Sequence, residues 1–447
     1  MNYAEATDFL ATLGDELWRA KLGLDAIAKL LKALGDPERQ YPTVIVAGTN
    51  GKGSTSALLA NILYKAGYRT GLYTSPHLLR VNERIRVNGE EVSDDDFARC
   101  LTEVWLAARR LLSEKQLAHG PSFFESLTAT AFLHFARAEV NFAVLEVGMG
   151  GRLDATNTTQ SRIAVITPVD VDHVEYLGAT RVAIAAEKAG VIKPGRTVVS
   201  ACEHPDVAEV IRDRCRECGA DLIDVSSFAS VSHLSNSEGR YAFDVSLDGN
   251  LLTGLQLPLR GRFQVTNATT ALTAAWLLKQ NGLHISTEAM REGLRDVSWP
   301  GRLEMLLPRP LVLVDGAHNP AAARELAAFI EEQLPGRSLR LVYASMRDKA
   351  IGEISRILFP LAAEVYLSRP RQARAASAEE ILAAAEVQPR RVVIQPDPAR
   401  ALEEACRASG PDDVVLVAGS LYLVGAIKQA ILDGKLQLER FARPAGG

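Results

Sequence analysis

Short apolar runs alternate along this chain with longer segments of helical periodicity. The runs at 44–47, 70–73, 142–147 and 163–167 have strand length, and the one reading FAVLEV has no polar alternation, which predicts burial on both faces. Apolar residues at helical spacing fill about 54–66, 94–113 and 122–138, and Phe9, Leu10, Leu13 and Leu17 predict helix in the first forty residues. Strands alternating with helices predict a largely parallel sheet covered on both sides. The stretch 224–257 differs. Tyr241 to Leu247 alternates, with Ser, Asn and Gly turns around it, which predicts a small antiparallel excursion within the first domain. A helix at about 265–279 follows. The pattern breaks at VSWPGR, 297–302, and a second series begins: strands at 311–315, 339–344, 364–367, 391–394 and 414–417, helices at 320–333, 351–359, 378–385, about 400–408 and 421–432. This is the pattern of a second, smaller doubly wound domain. The expected division is 1–297 and 298–447, with the tail RFARPAGG frayed.

A chain of 447 residues exceeds what one core serves. With 47% hydrophobic and 23% charged residues it reads as an ordinary soluble globular protein. The net charge of −4 supplies no basic field for nucleic acid. No apolar run reaches the roughly 18 residues of a membrane span, and the acidic N-terminus lacks the order of a signal peptide, so the cytoplasm is the expected compartment. Five scattered cysteines argue against a disulfide framework. Cys215 and Cys218 form a C-x-x-C, but zinc sites want four ligands and no second pair accompanies it.

The strongest chemical signal is VIVAGTNGKGSTSA, 44–57. A β-branched run ends at Ala47, a glycine-dense turn covers 48–53, and Ser54 opens an apolar helical pattern. Strand, glycine loop and helix N-terminus together form an anion cradle of inward-pointing N–H groups. Lys52 is placed to reach β- and γ-phosphates, and a hydroxyl at Ser54 or Thr55 to help hold Mg²⁺, so the loop predicts nucleoside triphosphate binding. The spelling departs from G-x-x-x-x-G-K-[ST]: Gly53 separates Lys52 from Ser54, and Val46 stands where the first glycine belongs. The competing reading is a ligand-free glycine turn, in which a lysine flanked by glycines has little structural use. The fold class expected is α/β: a P-loop-containing, mostly parallel sheet domain followed by a smaller Rossmann-like α/β domain.

Four further polar clusters follow strands, where α/β sheets bind ligands. In Thr74-Ser75-Pro76-His77-Leu78, Ser75 reads either as a metal ligand or as a turn-capping hydroxyl; RVNERIRVNGEEVS beyond it predicts an excursion turning at Asn88 and Gly89. In 142–157, Glu146 ends a buried strand. It is either a magnesium ligand beside the phosphate cradle or a strand-end carboxylate in water. Gly148, Gly150 and Gly151 permit close backbone approach, with Arg152 and Asp154 beyond. In 167–193, His173 follows Asp170 and Asp172 at the same sheet end, although magnesium prefers oxygen to imidazole. Lys188 lies in a helical run beside Glu187, and its bland role is a surface lysine, which the residues alone do not reject. In VDGAHNP, 314–320, Asp315 and Asn319 read as cleft residues or as turn and helix-cap groups, with Arg302 shortly before them.

In this order the clusters resemble the folylpolyglutamate synthase and dihydrofolate synthase family, within the Mur-type amide ligases. The motifs are GTNGKGS at 48–54, TSPHL at 74–78, EVGMGGRLDATN at 146–157, DHVEYLG at 172–178, AAEKAGVIK at 185–193, VDGAHNP at 314–320 and GSLYLVG at 419–425, spread over nearly the whole chain. The resemblance implies that Asn50, Gly51, Lys52, Gly53 and Ser54 hold ATP, with Asn267, Arg302 and Asp315 contacting it and His318 nearby. It implies two Mg²⁺ sites drawing on Ser75, Glu146, His173 and a Lys188 carbamylated by CO₂. It also implies a dihydropteroate site at Ser122, Phe123, Phe124, Glu125, Leu153, Asp154 and Ala155. Asp348-Lys349-Ala350 departs from the Asp-Lys-Asp frequent in the family.

The implied reaction is ATP-dependent amide formation. A folate or dihydropteroate carboxylate takes the γ-phosphoryl group, and the amine of L-glutamate displaces phosphate from the acyl phosphate. Lys52, Mg²⁺ and Arg302 would neutralise charge, and either His318 or water would accept the amine proton. The expectation is a bifunctional, monomeric dihydrofolate synthase/folylpolyglutamate synthase acting on small molecules, without nucleic acid or membrane. The alternatives are a monofunctional folylpolyglutamate synthase, a cell-wall Mur-type amino-acid ligase, or a nucleotide-dependent switch. Only about forty residues precede the loop, which disfavours the cell-wall reading. A switch needs no convergence of Glu146, His173 and Lys188.

Overall fold

The computed structural model describes residues 1–14 and 23–443. An eight-stranded sheet is built from β1 (Thr43–Ala47), β2 (Thr70–Tyr73), β3 (Ile85–Val87), β4 (Glu90–Glu91), β5 (Phe142–Glu146), β6 (Ile163–Ile166), β7 (Thr197–Ser200) and β8 (Asp221–Asp224). Its spatial order is β4-β3-β2-β5-β1-β6-β7-β8. β2, β5, β1, β6, β7 and β8 run parallel, and the β2–β3 and β3–β4 pairs are antiparallel. Asn88 and Gly89 turn the β3–β4 hairpin with φ of 56° and 84°.

The unbroken apolar strands are covered on both faces. Val44 and Val46 pack with Leu58 and Leu59 of the helix Lys52–Lys65 and with Ala271 and Leu272 of the helix Phe263–Gln280. On the opposite face Ile45 and Ala47 meet Val147 and Val191, and Ala143 and Leu145 pack with Phe97 and Phe132 of the helices Asp94–Ser113 and Phe123–Arg137. β1 lies between β5 and β6. The loops leaving β1, β2, β5 and β6 therefore emerge side by side at one rim.

A three-stranded antiparallel sheet, β9 (Ala229–Ser237), β10 (Arg240–Leu247) and β11 (Asn250–Leu257), follows. Tyr241, Phe243, Val245 and Leu247 turn inward from β10 to the same core as the phosphate-loop helix. The last sheet contains β12 (Glu304–Leu307), β13 (Leu311–Val314), β14 (Leu339–Tyr343), β15 (Glu364–Leu367), β16 (Val392–Ile394) and β17 (Val414–Ala418), in the order β12-β13-β17-β14-β15-β16. All its pairs are parallel except β12–β13.

Several expectations change. The first forty residues hold separate helices, Tyr3–Thr12 and Asp25–Ala33, and Leu17 lies outside the described residues. Edge strands β8 and β12 were not anticipated: both are short and half-buried, so neither shows a solid apolar run. Residue 224 ends β8, and the antiparallel excursion begins only at Ala229. The tail is anchored as far as it is described. Leu438–Phe441 is a 3₁₀ turn, Arg407 lies over the Phe441 ring at 5.9 Å, and Arg443 N donates to Arg309 O at 3.1 Å. Among the described residues no helix is long and apolar enough to cross a membrane.

Candidate active site

The phosphate-loop helix begins at Lys52, two residues before the predicted Ser54, with Gly51 at φ +85° just ahead of it. A Cβ at Gly53 would lie 3.1 Å from Trp299 Nε1. The glycine that spoils the common P-loop spelling is thus the seat for the indole of the segment between the sheets. Thr49 N and Asn50 N both donate to Pro168 O, at 2.9 and 3.3 Å, which ties the loop after β1 to the loop after β6. Lys52 Nζ donates to Thr49 O at 3.0 Å. Burial lowers its pKa, against the opposing charges of Glu146 and Asp172.

A cavity of about 650 Å³ opens on this loop. Lys52, Ser75, Glu146, His173 and Lys188 all line it, as do Asn50, Gly51, Gly53, Ser54, Asn267, Arg302, Asp315 and His318. Glu146 is 5% exposed and accepts from Ser75 N at 3.1 Å. Burial raises its carboxyl pKa, with Lys52 the main opposing charge. Lys188 is 4% exposed, which overturns the surface reading: Glu187 reaches outward to Arg152 at 2.8 Å while Lys188 points inward to Gly48 O at 2.6 Å. Burial, then the positive Lys52, brings the Lys188 amine down to about 7. His173 sits at φ 50°, an uncommon conformation for a non-glycine residue. Its Nδ1 is buried without a hydrogen-bond partner. Burial outweighs Asp172 and holds its pKa at about 3, so the ring is neutral.

No cluster of three His, Cys, Asp or Glu side chains stands ready for a metal among the described residues. Residues lining the cavity nevertheless carry donors that suit a divalent cation: a hydroxyl at Ser75, a buried carboxylate at Glu146 and the orphaned imidazole nitrogen of His173. Lys188 as an amine does not suit one; it would have to become anionic.

A second cavity of about 190 Å³ shares Ser75, His173 and His318 with the first. Ser122, Phe124, Glu125, Leu153, Asp154 and Ala155 line one side, and Met346, Lys349 and Arg374 the other. Glu125 is fixed by a capping box: Ser122 N and Oγ donate to its Oε2, both at 2.8 Å, and its own N–H donates to Ser122 Oγ at 3.2 Å. Asp154 accepts from Met149 N and Thr156 N at 3.0 Å each, and burial raises its carboxyl pKa. Phe123 does not line this cavity; its ring lies under the Arg84 guanidinium at 5.4 Å.

Asp315 and Asn319 do perform turn and cap duty. Asp315 accepts from Leu303 N and Ala317 N at 2.8 Å each, and Asn319 accepts from Ala322 N at 2.9 Å. Asn319 also exchanges amide hydrogen bonds with Asn50 across the cleft, at 2.9 and 3.1 Å. The residue to which sequence reasoning gave no role is Asp172. It accepts from Lys349 Nζ at 2.7 Å and Asn319 Nδ2 at 3.1 Å, with His318 Nε2 at 3.4 Å. Burial alone would raise its carboxyl pKa; His318, His173 and Lys349 instead hold it far below the usual carboxylate range. Lys349 lies 177 positions from Asp172, so no local pattern marks the pair. His318 Nδ1–H donates to Gly316 O at 2.8 Å, which leaves Nε2 toward the cleft.

The sequence matches the Mur ligase middle domain over residues 46–275 and the Mur ligase glutamate ligase domain over residues 301–421. The dihydrofolate synthase/folylpolyglutamate synthase of Bacillus subtilis is 34% identical over 414 residues, 92% of this chain and 95% of that protein. The structure of E. coli FolC in complex with DHPP and ADP is similar with a TM-score of 0.85 and 31% identity, covering 97% of this chain and 99% of that one. That of Mycobacterium tuberculosis folylpolyglutamate synthase complexed with ADP gives 0.89 and 32%, over 100% of both chains.

Proposed function

The chain belongs to the folylpolyglutamate synthase and dihydrofolate synthase family of Mur-type ligases and is an ATP-dependent ligase that adds L-glutamate to folates; we propose that its single cleft serves both dihydropteroate and reduced folates. The observation that carries this reading is that the two cavities are adjacent, with Ser75, His173 and His318 lining both. One cavity is lined by the phosphate loop, the other by Phe124, Glu125 and Asp154. A substrate carboxylate in the smaller cavity would meet a γ-phosphate in the larger.

In the first step a carboxylate oxygen bonds to the γ-phosphorus, the bond to the β-phosphate oxygen breaks, and ADP leaves. Lys52 and Arg302 balance the transferred charge, and the cleft walls keep water from the acyl phosphate. In the second step the neutral glutamate amine attacks the acyl carbon, phosphate departs, and the surplus proton passes to His318 Nε2 or to water. Ser75, Glu146, His173 and carbamylated Lys188 would hold two Mg²⁺, which when bound neutralise triphosphate charge and polarise phosphoryl oxygens. The lowered Lys188 pKa of about 7 supports that modification. A neutral amine is what attacks CO₂, and loss of a proton then leaves an anionic carbamate. The reading includes a division at 297/298, a monomer and a cytoplasmic location.

Purified protein is expected to release ADP only when L-glutamate and either dihydropteroate or tetrahydrofolate are both present. ADP release unchanged by either substrate would falsify the ligase reading, and activity with only one acceptor would reduce it to a single function.

A further inference from the structure

The loop that carries Ser75 is held from both sides of the cleft. From its own domain, Glu83 accepts the backbone N–H groups of Leu78, Leu79 and Arg80 at 2.8, 2.7 and 2.9 Å. From the other side, the Leu78 side chain packs against the core that contains Leu423, Val424 and Ile427 of the helix Leu421–Leu432. A Cβ at Gly301 would lie 3.2 Å from Leu78 Cδ1. A Cβ at Gly425 would lie 2.2 Å from the Leu78 carbonyl oxygen and 3.2 Å from its carbon. Gly425 has ordinary helical backbone within Leu421–Leu432, where glycine is the poorer helix former. The helix does not require it; the approach of the Leu78 carbonyl does. Leu78 is three positions from Ser75, whose N–H donates to Glu146, and neither Leu78 nor Gly425 lines either cavity.

We propose that Leu78 and Gly425 form the docking joint through which the six-stranded domain sets the Ser75 loop. They are positioning residues for ligation that touch neither nucleotide nor folate. This rests on the ligase reading above, and it adds a steric requirement: the helix Leu421–Leu432 must come within van der Waals reach of a main-chain carbonyl before the loop is in place.

The test compares Gly425→Ala and Leu78→Ala with the wild type. Gly425→Ala is expected to lower kcat by about tenfold to a hundredfold, the scale of a misplacement near 1 Å. ADP affinity and Tm should hold, and small-angle scattering with ADP and tetrahydrofolate should show a larger radius of gyration. Leu78→Ala keeps the carbonyl but loses the packed side chain, and is expected to give the same changes more weakly. A glycine of no docking value predicts the opposite for Gly425→Ala: a higher Tm from better helix propensity, with kcat and scattering unchanged. That result overturns the joint, as does a kcat loss with unchanged scattering. If the wild type itself fails to ligate glutamate, the ligase reading falls, and the scattering comparison still decides the joint.

Discussion

The two parallel sheets end at one cleft, but their rims treat polar side chains differently. At Asp315, Asn319 and His318, on the six-stranded side, the fold itself satisfies them. Asp315 accepts backbone N–H groups from Leu303 and Ala317, Asn319 caps its helix, and His318 Nδ1–H meets Gly316 O. On the eight-stranded side Glu146 accepts from Ser75 N, Lys188 reaches Gly48 O, and His173 Nδ1 has no partner although it is buried. Buried polar groups cost free energy unless compensated. A rim whose groups are locally satisfied shapes the cleft, and a rim whose groups are left short expects charge from outside.

The sharpest way to break that contrast is at Lys188. Lys188→Met is expected to lower glutamate-dependent ADP release by about a hundredfold to a thousandfold, the scale of losing an electrostatic group in a dry site, while Tm holds. Protein incubated with ¹³C-bicarbonate should show a carbamate carbon resonance that the variant lacks. Near-normal turnover in Lys188→Met would mean that the eight-stranded rim, too, is only scaffold.

Asp315→Ala probes the other rim and should fail differently. It leaves the N–H groups of Leu303 and Ala317 without their acceptor, at a cost of about 1–3 kcal/mol for a buried unsatisfied group. A lower chemical-denaturation midpoint should accompany any activity loss; loss of activity at unchanged stability would erase the distinction between the rims.

The last test concerns His77, which accepts from Arg84 Nε through Nδ1 at 2.9 Å. Burial, then the Arg84 charge, lowers its pKa from 6.5 to about 3. The unfolded chain therefore binds a proton that the folded chain refuses between those values, and stability falls as pH drops through that window. His77→Gln keeps an acceptor without the titration, so its Tm should decline less than that of the wild type between pH 7 and pH 4. Equal declines would show that the histidine is freely hydrated.

Much of this was legible because its causes are local. The phosphate loop, the strands β1, β2 and β5, and Ser75 and Glu146 at strand ends are each encoded by neighbours within a few residues. What stayed illegible had distant causes. A surface role for Lys188 stood open because it lies in a helical run beside Glu187, and Glu187 does pair with Arg152 at the surface; only the packing of its helix turns the next residue inward. Gly53 looked like a spoiled motif until Trp299 was seen against it. Phe123 sat inside a plausible substrate segment, and a guanidinium from the β2–β3 connection claims its ring instead.

Residue order by itself determined the two sheet-forming series, the triphosphate cradle and the family, since apolar period, turn chemistry and motif spelling act over short stretches of chain. Tertiary structure alone decided that Lys188 lies buried and that His173 Nδ1 is left unpaired, and that Asp172 is shared by Lys349, His318 and Asn319 from the facing domain. Burial and pairing at that range depend on how whole layers pack, which no neighbouring residue encodes.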